Sequence, residues 1–209
     1  MSDTAGIKAI IFDLGNVLID FNHMIAARKI AGFTDMAPED IFNFFFDSPL
    51  TASFEEGRIS PRDFFSDVKN KLNLKLGYDR FVLIWNEIFF LSEKNRAVYN
   101  LAKSLKRRYK LSVLSNVNFL HLEYIKREFP IFDAFDNVIT SCELGLKKPD
   151  PAIYKKALEI LEVEAGSVFY TDDRAELTEK AKELGIRSFV FTGPEQLHED
   201  LRAAGVNID

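Results

Sequence analysis

One cysteine, one tryptophan and three histidines stand in a chain of 209 residues. A lone Cys142 cannot form an internal disulfide, which predicts a reducing compartment, with the cytoplasm as the expected location. Three scattered histidines and one cysteine also argue against a Cys/His zinc centre. No apolar run approaches the roughly 20 residues that a membrane-spanning helix needs. The most apolar late window, Phe81 to Leu91, is interrupted by Asn86 and Glu87. The polar start, Met1 to Gly6, lacks the charged and apolar stretches of a secretory signal, so no export is expected. An excess of positive charge is missing as well: 27 basic against 32 acidic residues give a formal net charge of −5. Such a balance offers nothing to the backbone of a nucleic acid. The run Lys106-Arg107-Arg108 is short and suits the solvated end of a helix, where cations oppose the dipole.

Phenylalanine is what the chain holds in quantity, 20 residues within an ordinary globular composition of 47% hydrophobic and 28% charged residues. The length exceeds the roughly 150 residues typical of one domain, which predicts a large domain or a domain with an insert. Ile7 to Phe12 is almost wholly apolar and stops at Asp13-Leu14-Gly15-Asn16, as expected of a strand buried on both faces of a parallel sheet. Leu111 to Leu114, Ser167 to Tyr170 and Arg187 to Phe191 repeat the pattern, each ending at small or polar residues. Between them lie helical periodicities with start or stop signals: Ser92 before Glu93 to Lys106, Asp150-Pro151 before Ala152 to Leu161, and Arg174 to Leu184 closing on Gly185. Strand and helix in alternation predict a doubly wound α/β sheet.

The segment from about Phe21 to Leu91 breaks the alternation. Helices are expected over Pro38 to Phe46, from Ser60-Pro61-Arg62-Asp63 onward with a capping box of Ser60 and Asp63, and over Asp79 to Phe90. Phe42, Phe44, Phe45, Phe46, Phe64, Phe65, Phe89 and Phe90 fall here, enough for the core of a small bundle.

In an open α/β sheet ligands bind beyond the carboxyl ends of the strands. The residues waiting there are Asp13, Ser115 with Asn116, Lys147-Lys148-Pro149, and Asp172-Asp173. Taken singly, Asp13 could cap a turn, Ser115 and Asn116 could end a strand, Lys147 and Lys148 could be solvated, and the two acids could open a helix. Together they supply a carboxylate nucleophile, hydroxyl and amide donors, an ammonium and an acidic pair suited to a cation. In that order, Phe12-Asp13-Leu14-Gly15-Asn16-Val17, Leu114-Ser115-Asn116, Gly145-Leu146-Lys147-Lys148-Pro149 and Tyr170-Thr171-Asp172-Asp173 resemble the four motifs of the haloacid dehalogenase-like hydrolases.

The resemblance implies a Rossmann-like α/β core, doubly wound, over residues 1–20 and 92–209, with a small all-helical cap over 21–91. It implies a phosphatase acting on a small phosphorylated metabolite, with Asp13 taking the phosphoryl group as an aspartyl phosphate. Mg²⁺ would be held by Asp13, the carbonyl of Gly15 and Asp172, with Asp173 or Glu176 as a further ligand or a support. Lys148 would face the transferring group, and Ser115 and the amide of Asn116 its remaining oxygens. The cation answers a physical need: two unit charges of like sign at 4 Å repel by about 4 kcal/mol at an effective dielectric near 20. Other outcomes of the same fold are a haloacid dehalogenase, or a binding protein without activity.

One position departs from the family. Its phosphatases usually carry an acid/base aspartate two residues after the nucleophile, where this chain has Gly15. That assistance is typically worth 10² to 10⁴ in rate, so a good leaving group such as an anomeric phosphate would depend on it least. The Asp-Leu-Gly-Asn-Val form is similar to a bacterial subgroup that includes a glucose-1-phosphate phosphatase. Asp20 is the one nearby acid to weigh as a substitute, although a place in the hinge to the cap suits it better.

Overall fold

The computed structural model describes residues 6–45 and 48–208. Phe46 and residues 1–5 of the polar start lie outside them. The elements in chain order are β1 (Ala9–Phe12), β2 (Asp20–Phe21), α1 (His23–Ala31), α2 (Pro38–Phe45), α3 (Pro49–Glu55), α4 (Pro61–Lys71), α5 (Tyr78–Asn86), β3 (Phe89–Phe90), α6 (Glu93–Leu105), β4 (Lys110–Ser115), α7 (Phe119–Glu128), β5 (Asn137–Thr140), α8 (Ser141–Leu144), α9 (Pro151–Leu161), β6 (Val168–Asp172), α10 (Ala175–Glu183), β7 (Arg187–Val190) and α11 (Pro194–Ala203).

Five parallel strands form the main sheet in the order β5-β4-β1-β6-β7. Strand β1 is central because both its faces are apolar. Period two sends Ile10 and Phe12 into one hydrophobic cluster and Ala9 and Ile11 into the other. After β5 the chain crosses to the far side of β1, so the order reverses there. In sheets of this kind ligands bind at such a switch point, beyond the carboxyl ends of the strands. Strand β5 was not expected: Asn137-Val-Ile-Thr holds two apolar residues and lies at the edge, where half-exposure weakens the pattern.

Helices α1 to α5 gather around a separate cluster that includes Ile30, Phe54, Phe64, Phe81 and Trp85. The chain leaves and re-enters this region through a two-stranded antiparallel ribbon, Asp20 opposite Phe90 and Phe21 opposite Phe89. The helix expected over Asp79 to Phe90 therefore needs correction. It spans Tyr78–Asn86, and two aromatic residues well suited to a strand pair with β2 instead. Phe90 is exposed in that ribbon, outside any bundle core. Ser60 caps α4 by accepting from the Asp63 amide at 3.1 Å, and Pro61 follows at the first helical position. The Asp63 carboxylate accepts from the Ser60 hydroxyl at 2.6 Å, so the full reciprocal box occurs at Ser92 and Asn95 instead. The insert touches the core closely at Gly57, where φ is +66° and a Cβ would lie 2.4 Å from the carbonyl oxygen of Cys142. Among the described residues no helix is long and apolar enough to cross a membrane.

Candidate active site

Four loops at the carboxyl edge of the sheet bring the expected residues together. Asp13 follows β1 directly, and its amide donates to Thr171 O at 2.9 Å, which continues the β1–β6 pairing by one residue. Asp172 is the last residue of β6 and is fully buried. Lys148 comes from the loop after α8, with 2% of its surface exposed. Its ammonium donates to Asp13 Oδ1 and Asp172 Oδ2, each at 2.7 Å, and to the carbonyl of Leu114 at 2.9 Å.

Asn116 clamps that lysine in place. Its side-chain amide donates to Lys148 O and its carbonyl oxygen accepts from Lys148 N, both at 2.8 Å. The side chain is thus committed to the Lys148 backbone, while Ser115, buried at the end of β4, keeps its hydroxyl free of any side-chain hydrogen bond among the described residues. Asp173 accepts from Asn16 Nδ2 at 2.8 Å. Asn16 has φ of +57°, a left-handed conformation that asparagine tolerates better than most residues.

Ligand oxygens of Asp13, Asp172 and Asp173 lie within 4.8 Å of one another. When all three are ionised, one ammonium leaves an excess of two negative charges. Burial pushes the Asp13 carboxyl up to about 7, against the pull of Lys148 and with the help of the Asp172 charge. Burial works to lower Lys148, but the two carboxylates outweigh it and hold the ammonium charged above its ordinary range. Burial also raises Asp173, partly offset by the Asn16 amide. A hard divalent cation with oxygen ligands fits this donor set and cancels the excess charge.

Three further residues fall outside the cluster or alter it. Glu176 is exposed and pairs with Arg174 at 2.5 Å, away from the three carboxylates. Asp20 sits in the ribbon, 2.7 Å from Lys94 and 3.1 Å from Asn95 Nδ2. Burial would raise its carboxyl, but hydrogen bonds from Lys94, Ser92 and Asn95 hold it below the ordinary range. At Gly15 the ring of Phe21 takes the space: a Cβ there would lie 2.7 Å from Phe21 Cε1.

Tyr170 carries no role in the sequence motifs, yet its hydroxyl donates to Asp172 Oδ2 and accepts from Lys148 at 3.2 Å. Period two along β6 was the available signal, since it places Tyr170 and Asp172 on one face.

Comparisons with known proteins bear on the family and the fold. The family model described as haloacid dehalogenase-like hydrolase matches residues 7–185. A D-ribitol-5-phosphate phosphatase of Bacteroides thetaiotaomicron is 23% identical over 189 residues, covering 88% of this chain and 91% of that protein. A phosphatase of Mycobacterium tuberculosis is 24% identical over 212 residues, covering 97% of each. Among solved structures, a family enzyme from Bacteroides thetaiotaomicron in complex with magnesium and inorganic phosphate superposes with a TM-score of 0.78 at 26% identity, covering 88% of this chain and 94% of that one. With its parallel sheet, its ordered motifs and a family match over most of its length, the chain belongs to the haloacid dehalogenase-like hydrolases.

Proposed function

We propose that the protein is a magnesium-dependent phosphatase of small phosphorylated metabolites, working through an aspartyl phosphate on Asp13. The observation that carries this reading is the meeting of the buried Asp13, Lys148 and Asp172 with the half-buried Asp173, three carboxylates around one ammonium. The magnesium–phosphate complex of the Bacteroides relative supports it. Asp13, Asp172 and Asp173 would hold the cation with the carbonyl of Gly15. Bound there, Mg²⁺ supplies positive charge that lets a carboxylate approach a phosphate dianion.

The remaining work falls to the chain's own residues. An oxygen of Asp13 attacks phosphorus, the bond to the ester oxygen breaks, and the leaving alkoxide takes a proton from water. Water then attacks phosphorus, inorganic phosphate departs and the Asp13 carboxylate is restored. Lys148 stabilises the transferring oxygens as a fixed charge, Asn116 keeps its loop in register, and Ser115 donates to a further oxygen. Residues 21–91 act as a cap over the core formed by 1–20 and 92–209, with the β2–β3 ribbon as hinge. Support comes from the Glu55 carbonyl, which accepts from Ser141 Oγ at 2.6 Å and ties the cap to the core rim.

Because Gly15 offers no acid and Phe21 covers it, the leaving group is unassisted from that side. Rates across a series of phosphate esters then depend steeply on leaving-group acidity, which favours an anomeric sugar phosphate. The excess negative charge disfavours a haloacid, whose own carboxylate it would repel. Phosphate release from a metabolite panel that includes sugar 1-phosphates and polyol phosphates, with and without Mg²⁺, tests the reading. Mg²⁺-dependent release is expected. Halide release from 2-haloacids would replace it with the dehalogenase, and no release of either kind would leave a binding protein.

A further inference from the structure

We propose that Tyr170 is a positioning residue of this centre, its hydroxyl fixing which oxygen of Asp172 is presented to the cation. The proposal rests on the metal-dependent reading above. Tyr170 is fully buried on β6, two residues before Asp172. Oδ2 of Asp172 accepts from the Tyr170 hydroxyl and from Lys148 Nζ. A carboxylate oxygen has about two lone-pair sites, so these donors fill Oδ2. Among the described residues Oδ1 accepts only the backbone N–H of Arg174, at 3.0 Å, and keeps one site open. The cation ligand is therefore Oδ1, and the hydroxyl of Tyr170 prevents the carboxylate from turning the other oxygen outward.

Ring and hydroxyl do separable jobs. The ring packs edge to face on Tyr154 at 5.9 Å within the apolar cluster on one face of the sheet, where phenylalanine would pack equally well. The ring also faces the Lys148 ammonium, 5.7 Å from its centroid, a contact that phenylalanine would keep, so the hydroxyl is what distinguishes the two residues. It also accepts from Lys148 at 3.2 Å, so the same atom couples the lysine to the acid that the cation must share. Groups that orient a metal ligand typically change metal affinity by about 10- to 100-fold when removed.

The test titrates Mg²⁺ against the melting temperature of the whole protein without substrate, in wild type, Tyr170→Phe and Tyr154→Phe. Ligand that binds only the folded state raises Tm with concentration, which gives an apparent affinity. Wild type and Tyr154→Phe are expected to respond alike, and Tyr170→Phe to need about 10- to 100-fold more Mg²⁺ for the same rise. Should Tyr170→Phe not fold, Tyr170→Met also lacks the hydroxyl and gives the same readout. An unchanged Mg²⁺ requirement in the Tyr170 variant overturns the proposal, as does an equal weakening in Tyr154→Phe, which would make the effect common to the buried hydroxyls of this cluster and not particular to Tyr170. No Mg²⁺ response in wild type would instead overturn the metal-dependent reading itself.

Discussion

At the carboxyl edge of the sheet three carboxylates and an ammonium share a buried space, whereas the interior of α1 to α5 is packed ring on ring. Phe54 stacks on Phe64 with centroids 4.2 Å apart, and Trp85 meets Phe45 at 4.7 Å and Phe64 at 5.1 Å. The aromatic interior stabilises by burying area, without fixed partners. Buried charges stabilise weakly, because desolvation offsets their attraction, and they tolerate the loss of a partner badly. The two regions should consequently respond to substitution in different currencies, one in catalysis and the other in stability.

Asp13→Asn sets the upper end. Phosphate release should fall by a factor on the order of 10⁴ or more, as when a nucleophile is removed from an enzyme of this kind. Melting temperature should hold or rise, because one negative charge leaves a crowded site while Lys148 keeps Asp172. Unchanged turnover, read as phosphate released per enzyme, would remove Asp13 from the mechanism. Phe64→Ala sits on the other side of the comparison. It should cost about 3 to 5 kcal/mol in urea unfolding, yet hydrolysis of a small aryl phosphate should fall far less than in Asp13→Asn. A comparable fall would mean that the insert's interior belongs to the chemistry.

The seam between the regions gives a pH test. His121 of α7 lies against Trp85 of α5, rings 5.1 Å apart, and its Nε2 is 3.1 Å from the carbonyl of Trp85. Burial, with His23 nearby, lowers the His121 imidazole to about 3, while the bond to Trp85 opposes this. The unfolded chain binds a proton near pH 6.5 that the fold refuses, so this contribution is complete above that pH and is lost as pH falls towards about 3. From pH 7 to pH 5 the loss amounts to about 2 kcal/mol. His23, lowered to about 4 by burial, adds a similar dependence of its own. His121→Gln should flatten the slope between these pH values, as measured by denaturant titration, and an unaltered slope would assign it to other groups.

Much of this molecule was legible in the chain. Apolar runs that stop before Asp13, Ser115, Thr171 and Thr192 mark four of the five main strands, and the first three mark the edge where the charges meet, because a strand buried on both faces needs a continuous run. The short edge strand Asn137–Thr140 and the ribbon at Phe89–Phe90 escaped, since two residues of pattern carry no period. Within the site, residue types were readable and partnerships were not. Asn116 reads as an amide donor to substrate, and the fold adds a task on which the sequence is silent, its side chain holding Lys148, 32 residues away. Phe21 over Gly15 and Asn16 on Asp173 are likewise contacts made by the fold, on which local periodicity is silent.

Adjacent lysines bring the comparison down to two residues and its smallest expected effect. Lys148 has 2% of its side chain exposed and two carboxylates at 2.7 Å, while Lys147 has 29% exposed and, among the described residues, a single carboxylate partner, Glu55 of α3, at 3.8 Å. Solvent screens the second pair, and such pairs are typically worth about 0.2 to 1 kcal/mol. Lys147→Ala should therefore shift urea unfolding by less than about 1 kcal/mol, shrink further in added salt, and leave turnover near wild type. Lys148→Ala would strand Asp13 and Asp172 against each other, and removing one partner of a buried pair costs about 3 to 5 kcal/mol. Mg²⁺ should recover part of that loss, because the cation binds only where the fold has gathered the acids. Equal effects from the two lysines would mean that sequence neighbours share one environment, and the distinction between a charged edge and a screened seam would fail at the place where it is sharpest.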